Sequence, residues 1–344
     1  MSPPSSVPVT PATPESIRGA AEVIRQGGLV AFPTETVYGL GGDAFNAKAV
    51  ARIFEAKSRP RFDPLIAHIA SADALETLVT EVPDAAGALI DRFWPGPLTV
   101  VLPKRDEVPD LVTAGLPTVA VRCPDHPVAL EFIEACDTAI AAPSANRFTE
   151  VSPTTAAHVR DSLGAVVDMI LDGGPCAVGV ESTVVRLDAD GAATVLRPGG
   201  VSLEALREVV ERVEVGAPVA GGDAAREAPG MLARHYAPKT RLDPVEAFDA
   251  ATGDKGARIG GLAFEKDHHL RASGAEFEVI EVLSAAGDPR EAAANLFAAM
   301  RRLDAAKLDR ILFEFAPEHG LGVAINDRLR RASHRATGGR SSRD

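Results

Sequence analysis

The stretch "FEAKSRPRFDPLIAH", residues 54–68, joins the end of a helix-forming segment to a short apolar run. It places Lys57, Arg59 and Arg61 within five positions, directly before the apolar residues. A change from a helical to a strand-like pattern within a few residues is typical of a layered α/β fold. The cations stand at the start of the predicted strand, in a chain whose formal charge is −12. We interpret them as candidates for binding an anion; a solvated surface run is the alternative.

The same alternation extends in both directions along the chain. Apolar residues at helical spacing predict helices, with Asn46 as an N-cap, in the segments "ESIRGAAEVIRQGG", "NAKAVARIFEAKSR", "DHPVALEFIEAC", "TTAAHVRDSLG" and "SLEALREVVERV". Short apolar runs bounded by Pro, Gly or Asn predict strands in "LVAFPT", "PLIAHIA", "LTVVLP", "TVAVRCP", "TAIAAPSAN", "MIL" and "STVVRL". The pattern therefore predicts an α/β domain.

A second, smaller unit is predicted after a segment rich in Gly and Pro. Residues 216–241, "GAPVAGGDAAREAPGMLARHYAPKTR", show no sustained periodicity, which is typical of a linker or a functional loop. The segments "ARIGGLAF", "EFEVIEV", "REAAANLFAAMRRLDAAK", "DRILFEF" and "AINDRLRRASH" then predict a further α/β unit. The predicted organisation is a flexible tail at 1–15, a first domain at 16–214, a linker or lid at 215–240, a second domain at 241–335 and a disordered tail at 336–344.

Composition narrows the class of protein. The chain has 344 residues, 48 acidic side chains against 36 Lys plus Arg, and 46% hydrophobic residues, which is an ordinary soluble balance with an acidic excess. The acidity argues against a general nucleic-acid binder, although cations lining a pocket still bind a small anion, because distant carboxylates are screened. No membrane span or signal peptide is predicted, and the three widely spaced cysteines form neither a metal pair nor a disulfide framework. We expect a cytoplasmic protein.

Several common catalytic motifs are missing from the sequence. It contains neither a G-x-x-x-x-G-K-[ST] phosphate loop nor H-E-x-x-H, and its carboxylates do not cluster at metal-ligand spacing. The segment "GLGGDA", residues 39–44, fits the dinucleotide pattern G-x-G-x-x-A. That pattern also needs an acidic residue at the end of the next strand, and the strand "PLIAHIA" is followed by Ser71. The dinucleotide interpretation is therefore weak.

Polar residues follow or begin several of the predicted strands. "FPTETVYGLG" brings Thr34 and Thr36, "PSAN" brings Ser144 and Asn146, and "GVEST" places Ser182 after a Gly-containing turn. "PTVAVRCP" and "VLRPGG" add the remaining candidates, Thr118, Arg122 and Arg197. Each residue alone is more often a cap, a turn or a surface charge. Together these hydroxyls, amides and cations are the polar groups typical of a phosphate-binding site.

In this order, "PTETVYGLG", "KSRPRFDPLIAH", "PSAN", "VESTVV" and "LRPG" resemble the motifs of the Sua5/YrdC family, the threonylcarbamoyl-AMP synthases. The connecting "PGMLARHYAPK" and the second unit resemble the longer Sua5 type. The resemblance covers about residues 16–335. It implies a twisted, mixed-sheet YrdC-like catalytic domain followed by a small Rossmann-like Sua5 domain.

The resemblance also implies an activity. Family members make L-threonylcarbamoyl-adenylate from L-threonine, bicarbonate and ATP and release pyrophosphate; the product serves the t6A modification at position 37 of tRNAs that read ANN codons. Mg²⁺ is expected to enter with ATP and to be held by phosphate oxygens and water rather than by protein ligands. The implied partners are the small substrates and the downstream tRNA threonylcarbamoyl-transfer machinery, with no membrane and little or no direct nucleic-acid binding.

Site residues follow from the resemblance position by position. The catalytic pair implied is Lys57 and Arg59. The ATP-binding set implied is Lys57, Arg59, Asp63, Thr118, Ser144, Asn146, Ser152, Arg197 and Tyr236, with Tyr236 closing over the nucleotide. The threonine-binding set implied is Thr36, His68, Arg122, Ala142 and Ser182, and Thr118 is expected beside it.

One departure and three alternatives remain. Family members usually have Asp-Asn before "PLI", whereas this chain has Phe62-Asp63, and a carboxylate near phosphates is unfavourable unless a metal or Arg61 intervenes. The alternatives are an RNA-binding module that uses the basic C-terminal end, the oxidoreductase implied by "GLGGDA", and a carbamoylating domain that uses carbamoyl phosphate. The last normally accompanies zinc fingers, for which three cysteines are too few.

Overall fold

A computed structural model describes residues 7–188, 190–216, 226–249 and 256–334 of the chain. The first domain contains β1 Val9–Pro11, α1 Pro14–Arg25, β2 Val30–Phe32, β3 Gly39–Asp43, α2 Ala47–Lys57, β4 Ile66–His68, α3 Asp84–Phe93, β5 Leu98–Pro103, α4 Asp110–Thr113, β6 Thr118–Arg122, α5 Pro127–Cys136, β7 Ile140–Ala141, α6 Ala156–Leu163, β8 Met169–Asp172, β9 Thr183–Leu187, β10 Ala193–Arg197, α7 Leu203–Arg207 and β11 Val213–Val215. The second domain contains β12 Arg241–Pro244, β13 Ile259–Ala263, α8 His268–Ala272, β14 Phe277–Val282, α9 Pro289–Ala305, β15 Arg310–Phe313 and α10 Gly322–Ser333. Short 3-10 helices cover Ala72–Thr77 and Val245–Ala247.

The first domain is built on one large mixed sheet. Within the described ranges its strand order is β1-β8-β2-β3-β7-β4-β6-β5-β9-β10-β11. β4 runs parallel to β6 and β5 parallel to β9, whereas β2–β3 and β5–β6 are antiparallel. Helices supply the apolar side chains that cover the sheet, so its central strands are buried. The predicted mixed α/β catalytic domain is confirmed.

The second domain carries its own sheet. Its strands pair in the order β12-β15-β13-β14, and all three pairings are parallel. α8, α9 and α10 follow β13, β14 and β15 in turn, which is the alternation that parallel strands require. The predicted Rossmann-like second domain is confirmed.

The two domains share a hydrophobic core at their contact. Val37, Val151 and Val180 of the first domain belong to the same buried cluster as the apolar faces of α9 and α10. Gly179 permits this close approach: it has φ +74, and a Cβ there would lie 2.4 Å from the Ala293 carbonyl oxygen of α9. Only glycine adopts this backbone conformation without strain and leaves room for the helix.

The prediction of a flexible tail at residues 1–15 is wrong from Val9 onward. Val9–Pro11 form an edge strand that pairs in parallel with β8. Helix α1 begins at Pro14 with a capping box, in which Thr13 and Ser16 satisfy each other's backbone N–H groups. Residues 1–6 lie outside the described residues. The Pro and Thr content that indicated a tail instead provides a strand edge and a helix cap.

The "GLGGDA" segment is a strand rather than a phosphate-binding turn. Residues Gly39–Asp43 form β3, which pairs antiparallel with β2. A dinucleotide fingerprint requires a tight turn between a strand and a helix, with the next strand parallel to the first. The glycines of β3 instead leave room for large neighbours, since a Cβ on Gly41 would lie 2.9 Å from the Phe32 ring. This geometry removes the basis of the oxidoreductase interpretation.

Two further sequence predictions need adjustment. The helix expected over 202–213 ends at Arg207, because Val213–Val215 pair with β10 as a strand. Within the predicted linker, residues 226–240 are described and lie against both domains, while 217–225 fall outside the described residues. The disordered tail predicted at 336–344 also lies outside them. No helix in the described ranges has the length and apolar character needed to cross a bilayer.

Candidate functional site

A polar pocket lies over one face of the large sheet, between the sheet and the linker. Its volume is about 510 Å³, including its open mouth. It is lined by Thr34, Val37, Gly39, Arg59, Ile66, His68, Arg122, Ala142, Pro143, Ser144, Glu181, Ser182, Arg197, Pro229, Gly230, His235 and Tyr236. These residues come from strand ends, from the loops that follow them and from the linker.

The floor of the pocket is set by β4 and β6. His68 lies directly opposite Arg122 in the parallel pairing of these strands, so both side chains point to the same face. Arg122 forms an ion pair with Glu35, with 2.6 Å between Arg122 Nη2 and Glu35 Oε1, and both side chains are buried. Burial, assisted by the charge of Arg122, lowers the pKa of His68 to about 3, so the imidazole is neutral at physiological pH.

The stretch after α2 supplies a second buried ion pair. Arg59 Nη2 lies 3.0 Å from Asp63 Oδ2, and the guanidinium also donates to the carbonyl oxygens of Asp63 and Pro64. Arg59 reaches the pocket and is 7% exposed, whereas Arg61 is exposed to solvent. The solvated-surface alternative therefore applies to Arg61 alone.

Lys57, the last residue of α2, fixes the neighbouring loop. Its ammonium donates to the carbonyl oxygens of Ser144 and Asn146, so the "PSAN" loop is tied to the helix end. Burial, followed by the charge of Arg59, lowers the pKa of Lys57 well below its usual value. The Asn146 side chain in turn donates to the carbonyl oxygens of Arg147 and Glu150, which closes the loop.

The "GVEST" turn and β10 form the opposite wall. Ser182 Oγ lies 2.7 Å from Thr99 Oγ1, and Arg197 donates to the Ser182 carbonyl oxygen at 2.9 Å and to its hydroxyl at 3.2 Å. Glu181 accepts a hydrogen bond of 2.6 Å from Ser152 Oγ. Burial raises the pKa of Glu181, but the cations Arg328 and Arg197 outweigh it, and the resulting pKa is below its usual value.

The linker closes the pocket from above. Arg197 Nη1 donates to the Pro229 carbonyl oxygen at 3.2 Å, which holds the start of the described linker on the wall. The Tyr236 hydroxyl and His235 Nδ1 are buried and find no hydrogen-bond partner among the residues that the structure describes. Burial lowers the pKa of His235 well below its usual value, so this ring is neutral as well. Buried polar atoms of this kind are normally satisfied, which indicates that a polar ligand or water completes them.

The charge distribution suits an anionic ligand with hydrogen-bonding groups. Three guanidinium groups line the pocket, those of Arg59, Arg122 and Arg197. Two of them have carboxylate partners, whereas the bonds of Arg197 described above go to carbonyl and hydroxyl oxygens. Guanidinium groups bind carboxylates and phosphates through paired hydrogen bonds, and burial strengthens these bonds. The arrangement can orient and charge-stabilise such groups.

The structure brings most of the sequence-predicted residues together. The pocket is lined by Arg59, His68, Arg122, Ala142, Ser144, Ser182, Arg197 and Tyr236. Other predicted residues touch a lining residue directly: Lys57 through Ser144, Asp63 through Arg59, Ser152 through Glu181, and Thr36 through Thr34, with 2.8 Å between the two threonine hydroxyls. Asn146 lies in the same loop as Ser144. Thr118 is not among the lining residues: it begins β6 four residues from Arg122, about 13 Å along the strand on the same face of the sheet, and its role in ATP binding stays a prediction.

Sequence reasoning missed several residues of the site. Glu35 and Glu181 lie inside the quoted motifs. Their cationic partners are distant in the chain, so the neighbouring sequence does not show that these carboxylates are ion-paired. His235 precedes Tyr236 in the linker motif and could have been found there. Arg328 of α10 reaches Glu181 from the second domain, 147 residues away in sequence, and its surroundings in the sequence resemble an ordinary basic helix face.

Two family models match consecutive parts of the chain. The model described as "Telomere recombination", of the Sua5/YciO/YrdC type, matches residues 22–199. The model described as "Threonylcarbamoyl-AMP synthase, C-terminal domain" matches residues 201–334. Together they cover the first domain from residue 22 onward, the linker and the second domain.

Relatives and a solved structure agree with the family models over the same span. The chain is 46% identical to a threonylcarbamoyl-AMP synthase of Pyrococcus abyssi over 92% of this chain and 94% of the relative. It is 41% identical to one of Bacillus subtilis, with 92% of each chain covered. The crystal structure of P. abyssi Sua5 complexed with L-threonine superposes with a TM-score of 0.87 and 41% identity, over 95% of this chain and 98% of that one. The chain therefore belongs to the Sua5/YrdC family of enzymes, as a threonylcarbamoyl-AMP synthase of the two-domain Sua5 type.

Proposed function

We propose that this chain synthesises L-threonylcarbamoyl-adenylate from L-threonine, bicarbonate and ATP and releases pyrophosphate. One observation carries the proposal most strongly: three buried guanidinium groups, those of Arg59, Arg122 and Arg197, converge on one pocket covered by the linker. An amino-acid carboxylate and a triphosphate are the anions that such a pocket would bind together.

The threonine subsite is proposed on the floor of the pocket. Arg122 would bind the carboxylate, exchanging part of its interaction with Glu35 for the ligand. His68 is buried and neutral, so it would hydrogen-bond the ligand from the pocket wall rather than act as a second cation. The Ser182 hydroxyl, the Ala142 backbone and the Thr34–Thr36 pair would complete the subsite. The P. abyssi structure with L-threonine supports threonine as the amino acid.

The nucleotide subsite is proposed between the "PSAN" loop, Arg59 and the linker. Arg59 and Arg197 would bind phosphate oxygens, and Lys57 would act by holding Ser144 and Asn146 in position. The Tyr236 hydroxyl and His235 Nδ1, which lack partners among the described residues, would bond the nucleotide. Asp63 restrains Arg59 through an ion pair, so the carboxylate of the Phe62-Asp63 departure has a cationic partner within the protein. Thr118, which lies on the same face of β6 as Arg122, stays a proposed nucleotide contact.

The reaction needs positioning and charge stabilisation rather than a protein nucleophile. Threonine's amine adds to the carbon of carbon dioxide and loses a proton, or adds to bicarbonate with loss of water, and either route gives a carbamate. A carbamate oxygen then attacks the α-phosphorus of ATP. The bond to the β-phosphate breaks as pyrophosphate leaves, and the arginines would stabilise the charge that develops on the phosphoryl oxygens. The linker would exclude water from the labile carbamate and adenylate.

Magnesium is proposed to enter as part of the ATP substrate. In the part of the chain that the structure describes, no three His, Cys, Asp or Glu side chains come together at a spacing that would hold a metal. The pocket carboxylates Glu35, Asp63 and Glu181 each face an arginine. Phosphate oxygens and water would therefore supply the Mg²⁺ ligands.

The product is proposed to serve tRNA modification in the cytoplasm. A threonylcarbamoyl-adenylate is an activated acyl donor, so a separate transferase must consume it, and the proposed destination is t6A at position 37 of tRNAs that read ANN codons. The acidic net charge of −12 favours a chain that hands its product to such machinery over one that binds tRNA tightly itself.

The decisive test is pyrophosphate release by the purified full chain with ATP, Mg²⁺ and bicarbonate. We expect release with L-threonine, several-fold less with L-valine, and none when bicarbonate is removed. The product should appear by mass spectrometry as threonylcarbamoyl-adenylate. Release that ignores the amino acid, or that persists without bicarbonate, would reject the proposal.

A further inference from the structure

The last helix of the second domain inserts a charged side chain into the wall of the first domain's pocket. Arg328 of α10 is 0% exposed. Its Nε donates to Glu181 Oε2 at 2.9 Å, and its Nη1 donates to the Pro198 carbonyl oxygen at 2.8 Å. Asp327, its neighbour on the helix, accepts a further bond from Nη1 at 2.8 Å. The guanidinium is therefore fixed at a domain boundary from several directions.

Glu181 links this guanidinium to the lining of the pocket. One carboxylate oxygen faces Arg328, and the other accepts a 2.6 Å hydrogen bond from Ser152 Oγ. Glu181 itself lines the pocket and directly precedes Ser182, whose carbonyl oxygen and hydroxyl are bound by Arg197. A displacement of Arg328 would leave a buried carboxylate without its cation, which is strongly unfavourable.

Arg328 also sets the position of Tyr236. Its guanidinium carbon lies 5.0 Å from the centroid of the Tyr236 ring, and Phe297 of α9 stacks on the same ring at 5.7 Å and 27°. Tyr236 has φ +61, an unusual conformation for a non-glycine residue that needs support from its surroundings. Two residues of the second domain thus hold a linker tyrosine that lines the pocket.

We infer that Arg328 is a positioning residue through which the second domain completes the nucleotide side of the pocket. It acts on two lining residues at once, on Glu181 through charge and on Tyr236 through cation–π contact. A lysine would not reproduce this, because its ammonium is compact and lacks the planar fork that bonds a carboxylate and a carbonyl while lying against a ring. The expected effect of Arg328 on catalysis rests on the proposed function, whereas its contacts with Glu181 and Tyr236 do not.

The test compares Arg328→Lys with Arg330→Lys, a matched change on the same helix. Arg330 is exposed and pairs with Glu318 on the surface. In Arg328→Lys we expect the KM for ATP to rise about tenfold or more, since a hydrogen bond to a charged group is lost, while the KM for threonine stays within about twofold. Arg330→Lys should change neither constant. If Arg328 only stabilised the fold, Arg328→Lys would lower the amount of active enzyme and would leave the KM values for ATP and threonine unchanged.

A second measurement follows Tyr236 directly and does not depend on turnover. The chain has only two tyrosines, so ring-¹³C tyrosine labelling gives two sets of aromatic NMR signals, which Tyr236→Phe assigns. In Arg328→Lys the Tyr236 signal should shift or broaden while the Tyr38 signal stays. If Arg328→Lys does not fold, Glu181→Gln weakens the same contact from the other side and should move the Tyr236 signal in the same experiment.

The outcomes separate this inference from the proposed function. An unchanged Tyr236 signal in the folded variant would overturn the inference, and so would a shifted signal with an unchanged affinity for a non-hydrolysable ATP analogue by calorimetry. If the unsubstituted chain releases no threonine-dependent pyrophosphate, the proposed function fails, while the Tyr236 signal and the analogue affinity still decide the role of Arg328.

Discussion

Arg59 and Asp63 form an ion pair that is almost completely shielded from solvent, with 3.0 Å between Arg59 Nη2 and Asp63 Oδ2 and side-chain exposures of 3% and 0%. Burial raises the pKa of Asp63, and the nearby cations, Arg59 first, oppose this effect. The pair keeps the Arg59 guanidinium in place at the pocket. It also occupies an Arg59 nitrogen that could otherwise bind a ligand. A phosphate ligand must therefore compete with Asp63 for Arg59.

Replacing Asp63 with Asn tests this competition. The amide keeps the shape and removes the charge, so we expect Asp63→Asn to lower the KM for ATP by a few-fold. It should also cost about 1–3 kcal/mol of unfolding free energy, because a buried ion pair is lost while Arg59 retains its carbonyl partners. ATP titration of pyrophosphate release and urea unfolding measure the two effects.

The matched control is Asp161→Asn, which removes an exposed pair with Arg160. Such surface pairs contribute about 0–1 kcal/mol, so neither the KM nor the stability should change noticeably. A higher KM for ATP in Asp63→Asn would show that the carboxylate assists nucleotide binding and would contradict the competition.

Lys57→Met is expected to impair both folding stability and ATP use. The family resemblance implies that Lys57 belongs to the catalytic pair and to the ATP-binding set. In the structure the ammonium bonds the Ser144 and Asn146 carbonyl oxygens, and the side chain is 1% exposed. Removing it leaves two buried acceptors unsatisfied, at a cost of about 2–6 kcal/mol in total.

Lys48→Met provides the comparison, because Lys48 lies on the same helix and is exposed. Thermal unfolding and pyrophosphate release per folded molecule should be normal in Lys48→Met and reduced in Lys57→Met. Full stability in Lys57→Met would mean that the loop does not depend on the ammonium and would return Lys57 to a direct phosphate role.

The difference between these two views of Lys57 shows what sequence can predict here. Strand and helix patterns of period two and 3.6 predict the α/β class, and the cap at Asn46 is observed, with its side chain accepting from the Lys48 and Ala49 amides. The motif positions predict most of the pocket lining, because short segments between regular elements carry their own local signal. Whether a cation in such a segment faces the ligand or the protein depends on partners about 90 residues away.

The failures have the same physical origin. Val9–Pro11 become a strand only because β8 offers an open edge, and no residue near Val9 encodes that edge. Arg328 reaches Glu181 in the pocket wall because the two domains pack together. The pattern of apolar residues in α10 does not predict this contact. Long-range partners decide each of these cases, and a local pattern contains no information about them.

Acid sensitivity should depend measurably on His68. Burial and Arg122 lower its pKa to about 3 in the folded protein, from an ordinary value of 6.5. The unfolded chain therefore binds more protons between these two values, so this contribution to stability is complete above pH 6.5 and is lost as the pH falls toward 3. Between pH 6.5 and pH 5 the loss should be about 1–2 kcal/mol.

His68→Asn removes the titrating group while keeping a donor for the Ile66 carbonyl oxygen. We expect the unfolding free energy of this variant, measured in urea at pH 5 and pH 7, to fall less with acid than that of the unsubstituted chain. His319→Asn changes an exposed histidine and should leave the pH dependence intact. Equal slopes in all three proteins would contradict a depressed pKa for His68.

Gly230→Ala should disturb the linker where it meets the pocket. Gly230 has φ +80, and a Cβ there would lie 2.7 Å from the Tyr236 hydroxyl and 3.1 Å from Arg197 Cδ. The substitution therefore adds a steric clash to a backbone strain of about 1–2 kcal/mol. Because Tyr236 and Arg197 both line the pocket, we expect pyrophosphate release to fall at least about tenfold.

Gly115→Ala separates the two effects. Gly115 has nearly the same backbone conformation, φ +79, but a Cβ there would meet nothing within 4 Å. Both variants should lose similar stability from strain, so the excess loss in Gly230→Ala reports the clash with Tyr236 and Arg197. Comparable activity in the two variants, measured per folded molecule, would mean that the linker moves aside without consequence and that its contact with the pocket is not needed for turnover.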